Sequence, residues 1–331
     1  MGEPSRDQSS VTDAIDHKII HAVRANVRAP FALIADVIGV SEQTVARRYR
    51  RMEQVGLIRV MALPSAEAID AEQWLLRIQV RPDSAEALAS ALARRPDIRW
   101  VSLSAGGSEV VCNSTMRRGD GRDLLLRRLP RTAQVQNITA HSILHMFHGP
   151  AEWHEYGDLL DDDQIARLRE RPDVVPATMT PDDAVLVEAL GRDGRASLRQ
   201  LADETGWSPA RVGRRIEALQ ASGASYFDVD LHLDQLGFTT MSYIWVTVAP
   251  RDLAATGDAL AAHPEVAFCA AVTGSANLVL SVVCRDSAGL YRYVTTRLAA
   301  LDAVRAIETS PVLRRIKQAG TILTDKGLAS V

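Results

Sequence analysis

The 331-residue chain is short of several things, and each shortage narrows what it can be. It has three cysteines, Cys112, Cys269 and Cys284, an odd number with no C-x-x-C pair. That pattern offers neither a disulfide framework nor a zinc knuckle, so the three read as reduced, buried thiols of a cytoplasmic protein. It has no apolar run near the roughly 20 residues that a membrane span needs. Its first ten residues, MGEPSRDQSS, lack the apolar centre of a signal peptide, so no targeting segment is expected there. It has no excess of positive charge. The formal net charge is -3, which excludes a uniformly basic protein and leaves any nucleic-acid surface to a local patch. It also lacks catalytic signatures: there is no G-x-S-x-G, P-loop, H-E-x-x-H, or G-x-G-x-x-G in a strand-helix context. No catalytic residue, cofactor or metal is expected.

What the chain does have, it has twice. Shifted by 167 positions, residues 16–56 lie on 183–223 without a gap. The identities include Asp16/Asp183, Arg28/Arg195, Gly39/Gly206, Ser41/Ser208, Val45/Val212, Arg47/Arg214 and Arg48/Arg215. Each copy reads as three helices. Ile15, Ile19, Ile20 and Val23 in the first copy, and Val185, Leu186, Ala189 and Leu190 in the second, have the spacing of a buried helix face. Small residues, Ala35 and Ala202, permit a close crossing by the second helix. Gly39 and Gly206 suit a left-handed helix end. Ser41 and Ser208 suit the N-cap of the third helix, and Pro209 its first position. Helix, tight glycine turn, helix is the helix-turn-helix pattern.

That pattern gives the arginines a reason. A third helix in the major groove sets its N-terminal residues at base edges, here Ser41, Gln43 and Thr44, and Ser208 and Arg211 in the second copy. Arg47, Arg48 and Arg51, with Arg214 and Arg215, follow where phosphates or guanines would lie. The competing reading is a solvated, ion-paired helix face, and recurrence at matching positions weighs against it. Acidic residues crowd the second copy, and Gly213 sits inside its third helix, so the second head should bind more weakly or read a different half-site.

A second repeated block, offset near 168, follows each helical unit: strand, helix, two strands joined by a Gly-Ser turn, helix, strand. The order βαββαβ describes a ferredoxin-like sandwich with helices on one face of an antiparallel sheet. The division expected is a helix-turn-helix unit at 12–60, a ferredoxin-like unit at 70–149, a linker at 150–179, then the same two units at 180–228 and 240–323. The linker carries DDDQIARLRER, a short helix with an acidic start and a basic end, read as a surface spacer.

On these residues the chain resembles the Lrp/AsnC family of transcriptional regulators, with L-x-x-x-x-G-x-S-x-x-x-V-x-R-R followed by Leu233, Leu236, Gly237 and Phe238. It departs from the usual member in carrying two complete units. The resemblance implies an α+β chain of two helix-turn-helix domains alternating with two ferredoxin-like effector domains. It implies double-stranded DNA as partner and a small effector, amino acids among the candidates. It places the effector at the turn Thr273, Gly274, Ser275 and Asn277, where the family often has aspartate at the last position; a plain hairpin turn is the bland alternative. It also implies that the two sheets, around 75–148 and 243–316, pair within one chain as a pseudo-dimer, and it leaves room for homo-oligomers of such units. The histidines His141, His145, His148 and His154 are better read as a polar strand face than as a metal site, for want of cysteine or spaced carboxylates. Siroheme decarboxylases are similar in fold and supply the alternative function. Their Asn-His-Tyr motif is missing here, where His232 stands alone.

Overall fold

In the computed structural model the described residues are 12–117, 129, 132–149, 153, 159–169, 175–324 and 327–330. The first helical unit comprises α1 (Ala14–Ala25), α2 (Phe31–Ile38) and α3 (Glu42–Gln54). A strand follows, β1 (Ile58–Pro64), and then β2 (Ala71–Val80), α4 (Pro82–Ala93), β3 (Ile98–Ser104), β4 (Glu109–Arg117) and β5 (Val135–His148). The helix expected at 122–129 lies, but for Leu129, outside the described residues, as does His154. The linker contributes α5 (Asp162–Arg169). The second half repeats the order: α6 (Ala184–Arg192), α7 (Leu198–Thr205), α8 (Pro209–Ala221), β6 (Ser225–Leu231), β7 (Thr240–Val248), α9 (Leu253–Ala261), β8 (Val266–Val272), β9 (Leu278–Cys284), α10 (Ser287–Tyr293) and β10 (Val304–Gln318). A short hairpin, β11 (Thr321–Thr324) and β12 (Gly327–Ser330), ends the described chain.

The two ferredoxin-like halves do more than stack. β5 pairs first with β2 of its own half and then, from Ile143 onward, with β8 of the other. β10 does the reciprocal, pairing with β7 up to Pro311 and with β3 from Val312. These two strands are 14 and 15 residues long, enough to serve both halves. The result is a closed antiparallel ring in the order β10-β3-β4-β2-β5-β8-β9-β7, with β10 returning to β7. Closure leaves these strands no open edge. Inside it, Leu75, Val111, Tyr243, Trp245, Phe268 and Val279 form an apolar core between the halves. Each half keeps its own helix-covered core outside the ring, around Leu76, Ile78 and Ala89 in one and Ile244, Val246 and Leu260 in the other. Cys112, Cys269 and Cys284 are buried free thiols in these two cores, and burial pushes those of Cys112 and Cys269 up to about 12.

The helical units also share one core, which includes Ile19, Val45, Leu186 and Val212. Here the sequence expectation needs two corrections. Val185 is 48% exposed, because the buried stripe of α6 runs through Leu186, Ala189 and Leu190. The linker helix is no mere surface spacer: Leu168 is fully buried in the shared core, Asn26 donates to its carbonyl at 2.8 Å, and Gln164 donates to Val37 O at 2.8 Å. Arg167 of the same helix pairs with Asp36.

Candidate DNA interface and effector turn

The two recognition helices are built alike. Gly39 and Gly206 end α2 and α7 at φ 75 and 71, in the left-handed region where a side chain would be strained. Ser41 Oγ accepts from Thr44 N, and Ser208 Oγ from Arg211 N, which satisfies a free N–H at each helix start. Val45 and Val212 are fully buried and fix each helix's roll. Ser41, Gln43, Arg47 and Arg50 are then exposed on α3, and Ser208, Arg211 and Arg214 in the second head. Arg211 lies over the Trp207 ring, 4.1 Å from its centroid, a cation–π contact that holds it at the helix start. Among the described residues, Arg47, Arg50 and Arg214 have no ion-pair partner.

Arg48 and Arg215, expected to face DNA, are engaged within the fold. Arg48 bridges Asp13 at 2.7 Å and Asp16 at 3.0 Å, and Arg51 also reaches Asp16 at 3.0 Å. Arg215 bridges Asp183 at 2.5 Å and donates to Thr178 O at 2.7 Å. The physical reason is the same in both heads. Asp16 and Asp183 are each 1% exposed, and a carboxylate buried without a cation is costly. The repeated residues Asp16/Asp183 and Arg48/Arg215 are thus one ion pair built twice. Burial alone would push Asp183 up, but its bonds from Arg215 and Thr180 outweigh that and hold it below the usual carboxylate range. Hydrogen bonds, first from the Asp16 backbone and then from Arg48, hold Asp13 low as well.

The repeated arginines at 28 and 195 join the heads. Arg28 donates to Gly194 O at 2.6 Å and Ala196 O at 2.9 Å. Arg195 donates to Val27 O and, at 2.8 Å, to Ala29 O, the equivalent carbonyls of the first head. Its guanidinium also lies 4.6 Å from the Phe31 ring centroid. Below them β1 and β6 pair antiparallel from Ile58↔Leu231 to Pro64↔Ser225. Both contacts obey one pseudo-twofold axis, so the recognition helices are related by the symmetry that a two-sided DNA site has. The 28/195 identity is visible in the sequence but its use is not, because the partners are backbone carbonyls and carry no residue signal.

The turn proposed for the effector is tied into the fold. Asn277 accepts from Val248 N at 3.0 Å and donates to Val248 O at 2.9 Å, so its amide fastens the end of β7. Thr273 N donates to Ser142 O, Thr273 Oγ accepts from Ser142 N at 2.9 Å, and Thr273 O meets His141 Nδ1 at 2.6 Å. Thr273, Gly274 and Ser275 are the exposed part, and Ser275 O accepts from Thr247 Oγ1 at 3.3 Å. His141, expected on a polar strand face, is buried there and stacks on Trp245 with centroids 4.8 Å apart. His145 is exposed and meets Phe147 edge-on. In the other half the corresponding turn ends in Glu109, which is 3% exposed. Glu109 accepts from Arg77 at 2.7 Å and from Ser310 Oγ at 2.8 Å. Arg77 continues to Glu308 and lies over Trp245. This cluster links four strands, β2, β4, β7 and β10, across the ring, and no sequence spacing announces it.

Comparison with known proteins agrees with this geometry. A model of the AsnC-type helix-turn-helix domain matches residues 13–53 and again 179–220, and a model of the Lrp/AsnC ligand binding domain matches 241–322. An uncharacterized HTH-type transcriptional regulator of Pyrococcus abyssi is 26% identical over 139 residues, which are 42% of this chain and 87% of that protein. The Bkd operon transcriptional regulator of Pseudomonas aeruginosa is 29% identical over 143 residues, 40% of this chain and 90% of its own. The regulatory protein AsnC of Escherichia coli is 25% identical over 142 residues, 41% and 93% respectively. Among solved structures, the siroheme decarboxylase NirDL aligns with 95% of this chain and 96% of its own at a TM-score of 0.64 and 11% identity, a likeness of fold alone.

Proposed function

The chain belongs to the Lrp/AsnC family, and from that premise we propose that it is a sequence-specific, double-stranded-DNA-binding transcriptional regulator whose affinity responds to a small molecule. One observation carries the reading: two capped recognition helices present Arg47, Arg50, Arg211 and Arg214 to solvent, and the Arg28/Arg195 clamp fixes them about one axis. Phosphates meet Arg47, Arg50 and Arg214, while Gln43 of one head and Arg211 of the other face base edges. The effector acts through the ring, with the exposed backbone of Gly274 and Ser275 as the family-type contact and an amino acid as the first candidate. Such a protein works beside chromosomal DNA in the cytoplasm. The test is retention of genomic fragments by the purified chain, followed by sequencing. A shared, enriched motif whose affinity falls steeply with salt supports the reading. Retention without any motif, at the affinity of non-specific binding, ends it.

The second reading is a tetrapyrrole enzyme, favoured by the whole-chain likeness to NirDL. Against it, no Asn-His-Tyr motif accompanies His232. Visible absorption of a bound tetrapyrrole in the purified protein, with turnover, would replace the first reading by this one.

A further inference from the structure

Between the β1–β6 ribbon and the mouth of the ring lies a chamber of about 1060 Å³. Its volume sits just above the range of roughly 300–1,000 Å³ for sites that enclose a drug-sized ligand. Its walls come from repeat-related positions of the two halves: Leu75 and Tyr243, Trp100 and Phe268, Asn113 and Ser281. The ribbon adds Asp228 from above. No residue of the 273–277 turn reaches it.

Two features define what would fit. First, three polar side chains on these walls are buried and incompletely bonded. Asn113, Ser281 and Asp228 are 6%, 5% and 2% exposed, and among the described residues Asn113 Oδ1, Ser281 Oγ and Asp228 Oδ2 meet no hydrogen-bond partner. Buried acceptors are nearly always satisfied, so three together on one chamber call for donors from elsewhere. Second, charge does not select an ion. Arg24, Arg315 and Lys317 line the chamber, but so do Glu67, Glu72, Asp228 and Asp230. The aromatic walls supply flat apolar surface instead.

We propose that this chamber binds a neutral aromatic small molecule bearing N–H or O–H donors, its rings between Trp100, Tyr243 and Phe268 and its donors on Asn113, Ser281 and Asp228. This is a ligand site additional to the family turn, and it stands whether or not the chain binds DNA.

N-phenyl-1-naphthylamine, a neutral aromatic probe with one N–H, is titrated into the full chain without DNA and followed by its fluorescence. Saturable binding at one probe per chain is expected. Ser281→Phe puts a ring into the chamber and should abolish it. Asn113→Leu and Ser281→Ala remove acceptors and should each weaken it by up to about tenfold, the scale of one lost hydrogen bond. If Ser281→Phe loses its far-ultraviolet helical signal, the two milder variants decide. Absence of saturable binding, or binding that all folded variants share with the parent chain, overturns the proposal and leaves a chamber filled by ordered water.

Discussion

At the scale of the residue, adjacent arginines of α3 have opposite tasks. Arg47 faces solvent, whereas Arg48 neutralises a buried carboxylate. Arg47→Ala should therefore leave thermal stability unchanged, weaken DNA binding and lower the slope of log affinity against log salt by about one. Arg48→Ala should cost about 1–3 kcal/mol in denaturant unfolding, since Asp16 would keep only Arg51 as an ion-pair partner, beside the Asp13 N–H. Equal stability losses in the two variants would contradict the division. Asp228 gives a pH test. Its carboxyl is buried, and that burial raises its proton affinity above the ordinary value. The folded chain then holds this proton more tightly than the unfolded chain does, so stability falls as pH rises from the unfolded pKa near 4 through the folded one. Asp228→Asn removes the penalty. Its melting temperature should exceed that of the parent chain at neutral pH, and the gap should close as pH falls below about 4. A gap that stays constant across that range would refute the assignment.

Elements show what the sequence could and could not reveal. Helix ends were legible because Gly39, Ser41, Gly206 and Ser208 act locally, through their own backbone angles and nearest N–H groups. The βαββαβ order was legible from apolar periodicity. The exchange of β5 and β10 between halves was not, because Ile143 and Pro311 mark a change of partner and not of conformation. Nor was the burial of Leu168, which looks like any apolar residue on a short charged helix. The terminal hairpin was missed too, although it breaks the internal symmetry. Gly56 and Gly223 are equivalent, with φ 66 and 70, but a Cβ on Gly56 would sit 2.6 Å from Leu328 N whereas one on Gly223 meets nothing within 4 Å among the described residues. Gly223→Ala should cost about 1–2 kcal/mol for the left-handed backbone alone. Gly56→Ala should cost clearly more and expose the β11–β12 hairpin to protease. Equal costs for the two alanines would show that the hairpin does not rest there.

For the whole molecule, the ring, the ribbon and the arginine clamp join the two units into a pseudo-dimer that no dilution separates, because the partners share one chain. Its heads differ at Gln43/Ala210 and Thr44/Arg211. The preferred DNA site should accordingly be an imperfect palindrome, with the half read by the first head better protected in footprinting. A selected site with two identical, equally protected halves would count against this.

The ribbon carries one more implication. Its register sets Met61 opposite Asp228, and these two are counterparts in the repeat. In an assembly of identical subunits, whatever stands at such a position must face itself, so an aspartate would meet an aspartate on the axis. Joining the copies lifts that self-pairing rule. Each axial position becomes two independently mutable sites, and a buried acid can be introduced on one side while a thioether fills the other. Covalent joining of two copies thus opens the centre of the molecule to chemistry that an assembly of identical subunits must avoid.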